Sequence, residues 1–124
     1  MKIYVSHSSK IDYQHELYNV LRNSDLAYNH EFLFPHERGL DLFPTKELFD
    51  AKGCDLVFAE VSFPSHGQGV ELGWAYERGI RMIFSHKPEA KLSVVIPELS
   101  KEIFTYTTGQ DLIAKLSNFI KWLF

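Results

Sequence analysis

The stretch Asp55-Leu-Val-Phe-Ala-Glu-Val-Ser-Phe-Pro-Ser-His-Gly-Gln-Gly-Val-Glu-Leu-Gly-Trp-Ala-Tyr-Glu-Arg-Gly79 reads as a strand, a small-residue connection and a helix. Leu56 to Val61 is an apolar run with β-branched and aromatic residues and no clean alternation, the pattern of a parallel strand covered on both faces. Pro64, Ser65, Gly67 and Gly69 then supply turn chemistry and short side chains, which lets backbone N–H groups near the next helix start meet an anion. From about Gln68 to Arg78 the spacing predicts a helix, with Val70, Leu72, Ala75 and Tyr76 as its inward stripe and Gly79 as its stop. Glu71 is expected in the first turn, beside the strand's carboxyl end, which is the edge of open α/β sheets where ligands bind.

Outward from this unit the chain keeps a βα rhythm. Lys2 to Ser6 reads as a first strand, Ile11 to Asn23 as an amphipathic helix, and Ala27 to Phe34 as a second strand. After the loop from Pro35 to Pro44, Thr45 is expected to cap a short helix through Lys52, with Leu48, Phe49 and Ala51 inward. Ile80 to Phe84 and Ile103 to Tyr106 complete five strands. A last helix, Gly109 to Phe124, carries Leu112, Ile113, Leu116, Phe119, Ile120 and Leu123 on one side. Alternating strands and helices predict an α/β sandwich with a five-stranded parallel sheet and right-handed crossovers.

A chain of 124 residues has the size of a single domain, taken as residues 1–124. With 45% hydrophobic residues and a net charge of −3 it reads as globular, not as a basic binder of nucleic-acid polymers. No apolar run approaches the ~20 residues of a membrane helix. The single cysteine, Cys54, has no internal disulfide partner and no signal-peptide layout is visible, so the cytoplasm is the expected compartment. The six histidines show no paired or Cys/His spacing of the zinc-site kind, and no metal is expected.

The run from Asp55 through Gly-Gln-Gly-Val-Glu71-Leu-Gly-Trp-Ala closely resembles the signature of the nucleoside 2-deoxyribosyltransferase superfamily, especially its branch of 2′-deoxynucleoside 5′-monophosphate N-glycosidases. The resemblance implies a flavodoxin-like three-layer sandwich, no cofactor, a small nucleotide substrate and a homodimer or higher homo-oligomer. It implies that Glu71 is the nucleophile that attacks the anomeric carbon, and that Ser65, in the Pro-Ser-x-Gly loop, contacts the 5′-phosphate. Ser93, in Lys91-Leu92-Ser93, matches a family serine that reaches the phosphate site of the neighbouring subunit. Where the family has an aspartate eight residues before the position of Asp55, this chain has Glu47, a carboxylate with longer reach for orienting the sugar or assisting proton transfer. The family's opening Gly-Ser-Ile is replaced by Val5-Ser6-His7-Ser8-Ser9-Lys10, in which Ser8 and Ser9 are the candidates for a phosphate or ribose cradle. Gly67 and Gly69 join Ser65 as substrate-contacting positions.

Each residue also has a plain structural reading. Glu71 near a helix start complements the macrodipole, Ser65 after proline is an N-cap, Glu47 is a solvated carboxylate, and Asp55 either closes a turn or meets ligand. In the catalytic reading Glu71 and Glu47 form the carboxyl pair that retaining glycosyl transfer sets about 5 Å apart. Water resolving the intermediate gives an N-glycosidase, and an acceptor base gives a nucleoside 2-deoxyribosyltransferase. Ile3-Tyr4-Val5-Ser6-His7-Ser8-Ser9-Lys10 also looks like the opening of bacterial Toll/interleukin-1 receptor domains, some of which cleave NAD with a helix glutamate. A binding module that has kept the fold without the chemistry is the alternative from another class.

Overall fold

The computed structural model describes residues 1–39 and 42–124. Five parallel strands stand in the order β2-β1-β3-β4-β5: β1 Lys2–His7, β2 Glu31–Leu33, β3 Leu56–Glu60, β4 Arg81–His86 and β5 Ile103–Thr105. This is the flavodoxin-like three-layer arrangement expected from the sequence. The order reverses at β1, with β2 on one side and β3 on the other, so the crevice above the carboxyl ends of β1 and β3 is the topological switch point.

Two apolar layers hold the sheet, and a short helix, α5, Ile96–Leu99, lies in the connection from β4 to β5. Ile3, Val5, Leu56, Phe58 and Ile83 face α1, Asn19–Arg22, and α6, Gly109–Leu123, where they meet Leu21, Leu112, Leu116 and Ile120. The alternate residues Tyr4, Val57, Ala59, Met82 and Phe84 face α3, Thr45–Asp50, and α4, His66–Glu77, where they meet Phe49, Leu72 and Ala75. The strands are buried on both sides, which is why their sequences run apolar without alternating. α6 presents the stripe the sequence predicts, with Leu112, Leu116 and Ile120 buried and Ile113, Phe119 and Leu123 packed against them.

Several boundaries differ from expectation. Ala27 to Phe34 is not one strand: α2 occupies Leu26–Asn29 and β2 is three residues long. The Ser24 hydroxyl bonds the Leu21 carbonyl and the Ser24 carbonyl accepts the Ala27 N–H, which turns the chain helically before it reaches the sheet. The first helix starts at Gln14–Tyr18 as a π-helical turn that runs into α1. Thr45 does not cap α3, since Pro44 holds that position, and Ala51 is exposed just past the helix end.

α4 begins earlier than the sequence predicts. Ser65 is its N-cap, with Oγ accepting from the Gln68 N–H at 3.2 Å. Gly67 and Gly69 are therefore helical, not part of the turn, and Glu71 sits in the second turn, not the first. The inward face is Gln68, Leu72 and Ala75; Val70 and Tyr76, expected inside, are 51% and 52% exposed. Gly79 ends the unit with φ +69°, a conformation that favours glycine. Among the described residues no helix is long and apolar enough to cross a membrane.

Candidate functional site

β1 prepares the site by alternation. Tyr4 and Ser6 point to the α3/α4 side of the sheet, and α4 lays Glu71 across them. The Tyr4 phenol donates to Glu71 Oε1 at 3.1 Å, and Ser6 Oγ donates to Oε2 at 3.1 Å. Thr45 Oγ1 lies 2.8 Å from the Tyr4 oxygen. The phenol has one proton, which it donates to the carboxylate, so Thr45 donates to Tyr4 and the row runs Thr45 to Tyr4 to Glu71. Burial, then the carboxylate beside it, holds the Tyr4 phenol protonated far above its ordinary range.

Glu71 is only partly buried, and no basic side chain pairs with it among the described residues. Burial pushes its carboxyl above the usual glutamate range, and the hydrogen bonds from Tyr4 and Ser6 pull it part of the way back. The result is an oriented carboxylate, held by neutral donors and not neutralised by a cation. The two donors favour the charged form of the carboxyl, and a charged carboxylate held in this way is chemically able to attack an electrophilic carbon.

The same helix also lines a cleft of about 290 Å³, formed by Ser65, His66, Gly69, Lys91 and Ser93, with Leu72 and Leu99 at its apolar side; Glu71 is not part of this lining and faces β1 instead. Ser65 spends one lone pair on its cap, leaving its O–H free to donate, and Lys91 adds a cation. Ser93 is exposed and accepts from the Val95 N–H at 3.4 Å. Within one chain Ser65 and Ser93 already line the same cleft, so their meeting does not require a second subunit. Gly67 lies outside this lining, one residue into α4 and exposed; a Cβ at Gly67 or Gly69 would meet nothing within 4 Å. Packing therefore does not demand glycine there.

The other candidates are placed differently. Glu47 is exposed on α3, and its carboxylate makes no hydrogen bond or ion pair among the described residues. Ser8 is buried and its Oγ accepts from the Lys10 N–H at 3.1 Å, while Ser9 is exposed at the turn. Asp55 belongs to the opposite edge of the sheet: it accepts from the Lys2 N–H at 2.7 Å, and its own N–H bonds the Lys2 carbonyl at 2.8 Å, fixing the start of β1 against β3. Cys54 is buried, and burial raises its thiol to about 11, which removes it as a nucleophile. No group of three or more His, Cys, Asp or Glu side chains among the described residues could hold a metal ion.

Sequence reasoning missed Tyr4, Ser6 and Thr45 as partners of Glu71, and it missed a buried polar layer on the other side of the sheet. There His7 is buried, with Nδ1 2.9 Å from the Ser8 carbonyl and Nε2 2.6 Å from the Tyr18 hydroxyl. A carbonyl only accepts, so Nδ1 carries the proton and Nε2 accepts from Tyr18. The Tyr18 oxygen in turn accepts from the His36 N–H at 3.0 Å. Burial lowers the His7 pKa to about 4. In register beside it stands Glu60, 1% exposed.

No model of a known protein family matches the chain, and no curated protein does. Among solved structures it is similar to the Clostridium botulinum CMP N-glycosidase BcmB, with 21% identity, a TM-score of 0.64 and coverage of 94% of this chain and 99% of the other. It is similar as well to a conserved protein from Enterococcus faecalis V583, with 15% identity, a TM-score of 0.70 and coverage of 95% and 98%. Both likenesses run nearly end to end and show a shared fold.

Proposed function

We propose that the protein is an N-glycosidase of nucleoside 5′-monophosphates, with a 2′-deoxynucleotide as the expected substrate. The observation that carries this reading is Glu71, oriented by two neutral donors at the switch point, on the helix whose N-terminal part lines an anion-compatible cleft. A Glu71 oxygen attacks C1′, the bond from C1′ to the base nitrogen breaks, and the base leaves with a proton. The intermediate is an ester of Glu71 with the sugar. Water then cleaves it, giving the free sugar 5-phosphate and restoring the carboxylate. Tyr4 and Ser6 hold the attacking group in one orientation, which lowers the entropic part of the barrier. Glu47, exposed on α3, is the second carboxyl proposed to position the sugar or serve the leaving base. Ser65, Ser93 and Lys91 supply donors for the phosphate, Gly69 leaves space beside it, and Gly67, Ser8 and Ser9 are kept as outer contacts.

The fold neighbour that is a CMP N-glycosidase supports the choice of a nucleotide substrate. The exposed Val70 and Tyr76 on α4 support a homodimer through the helix that carries Glu71. A strictly monomeric mass by light scattering at working concentration would remove that part of the reading.

The test is chromatographic detection of free base from ribo- and deoxyribonucleoside 5′-monophosphates, the matching nucleosides and NAD, each with and without an acceptor base. Release from a monophosphate without acceptor supports the proposal. Exchange only with acceptor makes the protein a transferase, nicotinamide release makes it an NAD glycohydrolase, and no release from any substrate makes it a binding module.

A further inference from the structure

The carboxylate of Glu60 is buried at the end of β3, on the sheet face opposite Glu71, and the chemistry above does not use it. Oε1 accepts from the Ser62 N–H at 2.7 Å, and Oε2 accepts from Ser62 Oγ at 2.8 Å and from the Tyr106 hydroxyl. Its main-chain carbonyl accepts from Gln68 Nε2 at 2.9 Å, in the first turn of α4. Ser62 Oγ, while donating to Glu60, accepts from the Lys87 N–H at 2.8 Å. Lys87 opens the connection that carries Lys91 and Ser93, and Ser62 opens the one that carries Ser65. The two walls of the 290 Å³ cleft are thus fastened to one another through one serine, and that serine is fastened to one carboxylate.

We propose that Glu60 is a positioning residue that sets the distance between the Ser65 and Ser93 walls of the cleft through Ser62, and so governs how tightly the phosphate end of the substrate is held. The inference rests on the reading of that cleft as the phosphate end. An ionised carboxylate offers only acceptors, which suits three donors converging on two oxygens. A buried charge held by hydrogen bonds is costly to assemble and costly to break, so it fixes geometry where a neutral apolar residue would only fill space. Tyr106 anchors the far side, since burial and then the Glu60 carboxylate keep its phenol protonated as a donor.

Two variants test the clamp. Glu60→Gln presents an amide NH2 where an acceptor is needed, and Ser62→Ala removes the bridge to Lys87 while leaving the Glu60–Tyr106 pair. Both are expected to raise amide hydrogen exchange about tenfold, the equivalent of one lost hydrogen bond, in residues 62–69 and 87–95 together, with β1 and α6 unchanged. Both are expected to raise KM for the preferred monophosphate about tenfold with kcat nearly constant, and to leave kcat/KM for the matching unphosphorylated nucleoside as in the wild type. Exchange that rises only at residues 60–62, or equally throughout the molecule, overturns the proposal, as does an equal loss on both substrates. If Glu60→Gln does not fold, Ser62→Ala decides. If the wild-type chain releases no base at all, the reading of Glu71 fails, and the coupling of the two walls is decided by the exchange pattern alone.

Discussion

The carboxyl edge of the sheet carries two buried-side glutamates that differ in how their oxygens are occupied. On the α1/α6 face Glu60 is 1% exposed and three donors close on its carboxylate. On the α3/α4 face Glu71 is partly exposed and has two donors, one to each oxygen. A carboxylate with filled acceptor sites and no access holds structure, whereas one oriented but incompletely filled is available to a substrate. The neighbouring residues follow suit, with His7 locked between Ser8 and Tyr18 on the closed face and Tyr4 and Ser6 aimed at Glu71 on the open one.

The contrast breaks most directly at Glu71. Glu71→Gln keeps the shape and removes the nucleophile, and base release is expected to fall at least ~10³-fold, as when a covalent catalyst is deleted elsewhere. The same variant is expected to melt higher than the wild type at neutral pH. Because the folded-state carboxyl titrates above its unfolded value, the unfolded state ionises first, and stability is lost as pH rises from the unfolded toward the folded pKa. The thermal advantage of Glu71→Gln should therefore shrink as the pH falls below the ordinary glutamate range, and activity of the wild type should fade on the acid side with a midpoint above that range.

On the closed face the largest effect belongs to His7. Its folded pKa of about 4 lies below the 6.5 of a free histidine, so its contribution is complete above 6.5 and disappears as the pH falls from about 6.5 to about 4. That span corresponds to roughly 3 kcal/mol. His7→Gln is expected to flatten this part of the stability curve in urea titrations at stepped pH, and an unchanged acid limb would contradict a buried neutral His7. Tyr4→Phe removes one donor to a charged group, worth about 1.5–3 kcal/mol, and should lower kcat about 10- to 100-fold while also lowering the melting temperature by several degrees. The smallest effect sharpens the comparison from the other side. Ser85, fully buried and in register beside Glu60, has a hydroxyl with no partner among the described residues, so Ser85→Ala should stabilise by about 1 kcal/mol. A loss of stability of that size would show that the hydroxyl is satisfied in solution.

The sheet was legible because its strands are apolar runs bounded by strong punctuation, such as Ser65 before α4 and Gly79 after it. Glu71 stands out as a candidate from its motif. Its surroundings were not legible, because Tyr4, Ser6 and Thr45 reach it across long sequence separations; the period-two reading of β1, which sets Tyr4 and Ser6 on one face, was the available signal. The phase of α4 was misread because Gly67, Gly69 and Gly73 leave gaps in the apolar pattern and the cap lies earlier than expected, which turns Val70 and Tyr76 outward. Asp55 opens the motif in sequence yet lies at the amino edge of the sheet, because the length of β3 separates it from the loop that leads to Glu71. Glu60 went unremarked inside an apolar run, although a charge in a doubly covered strand always needs partners.

The decisive measurement is the intact mass of the protein, with peptide mapping, after brief mixing with a nucleoside 5′-monophosphate that releases base and an acid quench. A mass increase of one sugar phosphate on the peptide containing Glu71, absent in Glu71→Gln, is the expected result. Base release with no adduct, undiminished in Glu71→Gln, would contradict the central claim that Glu71 is the nucleophile.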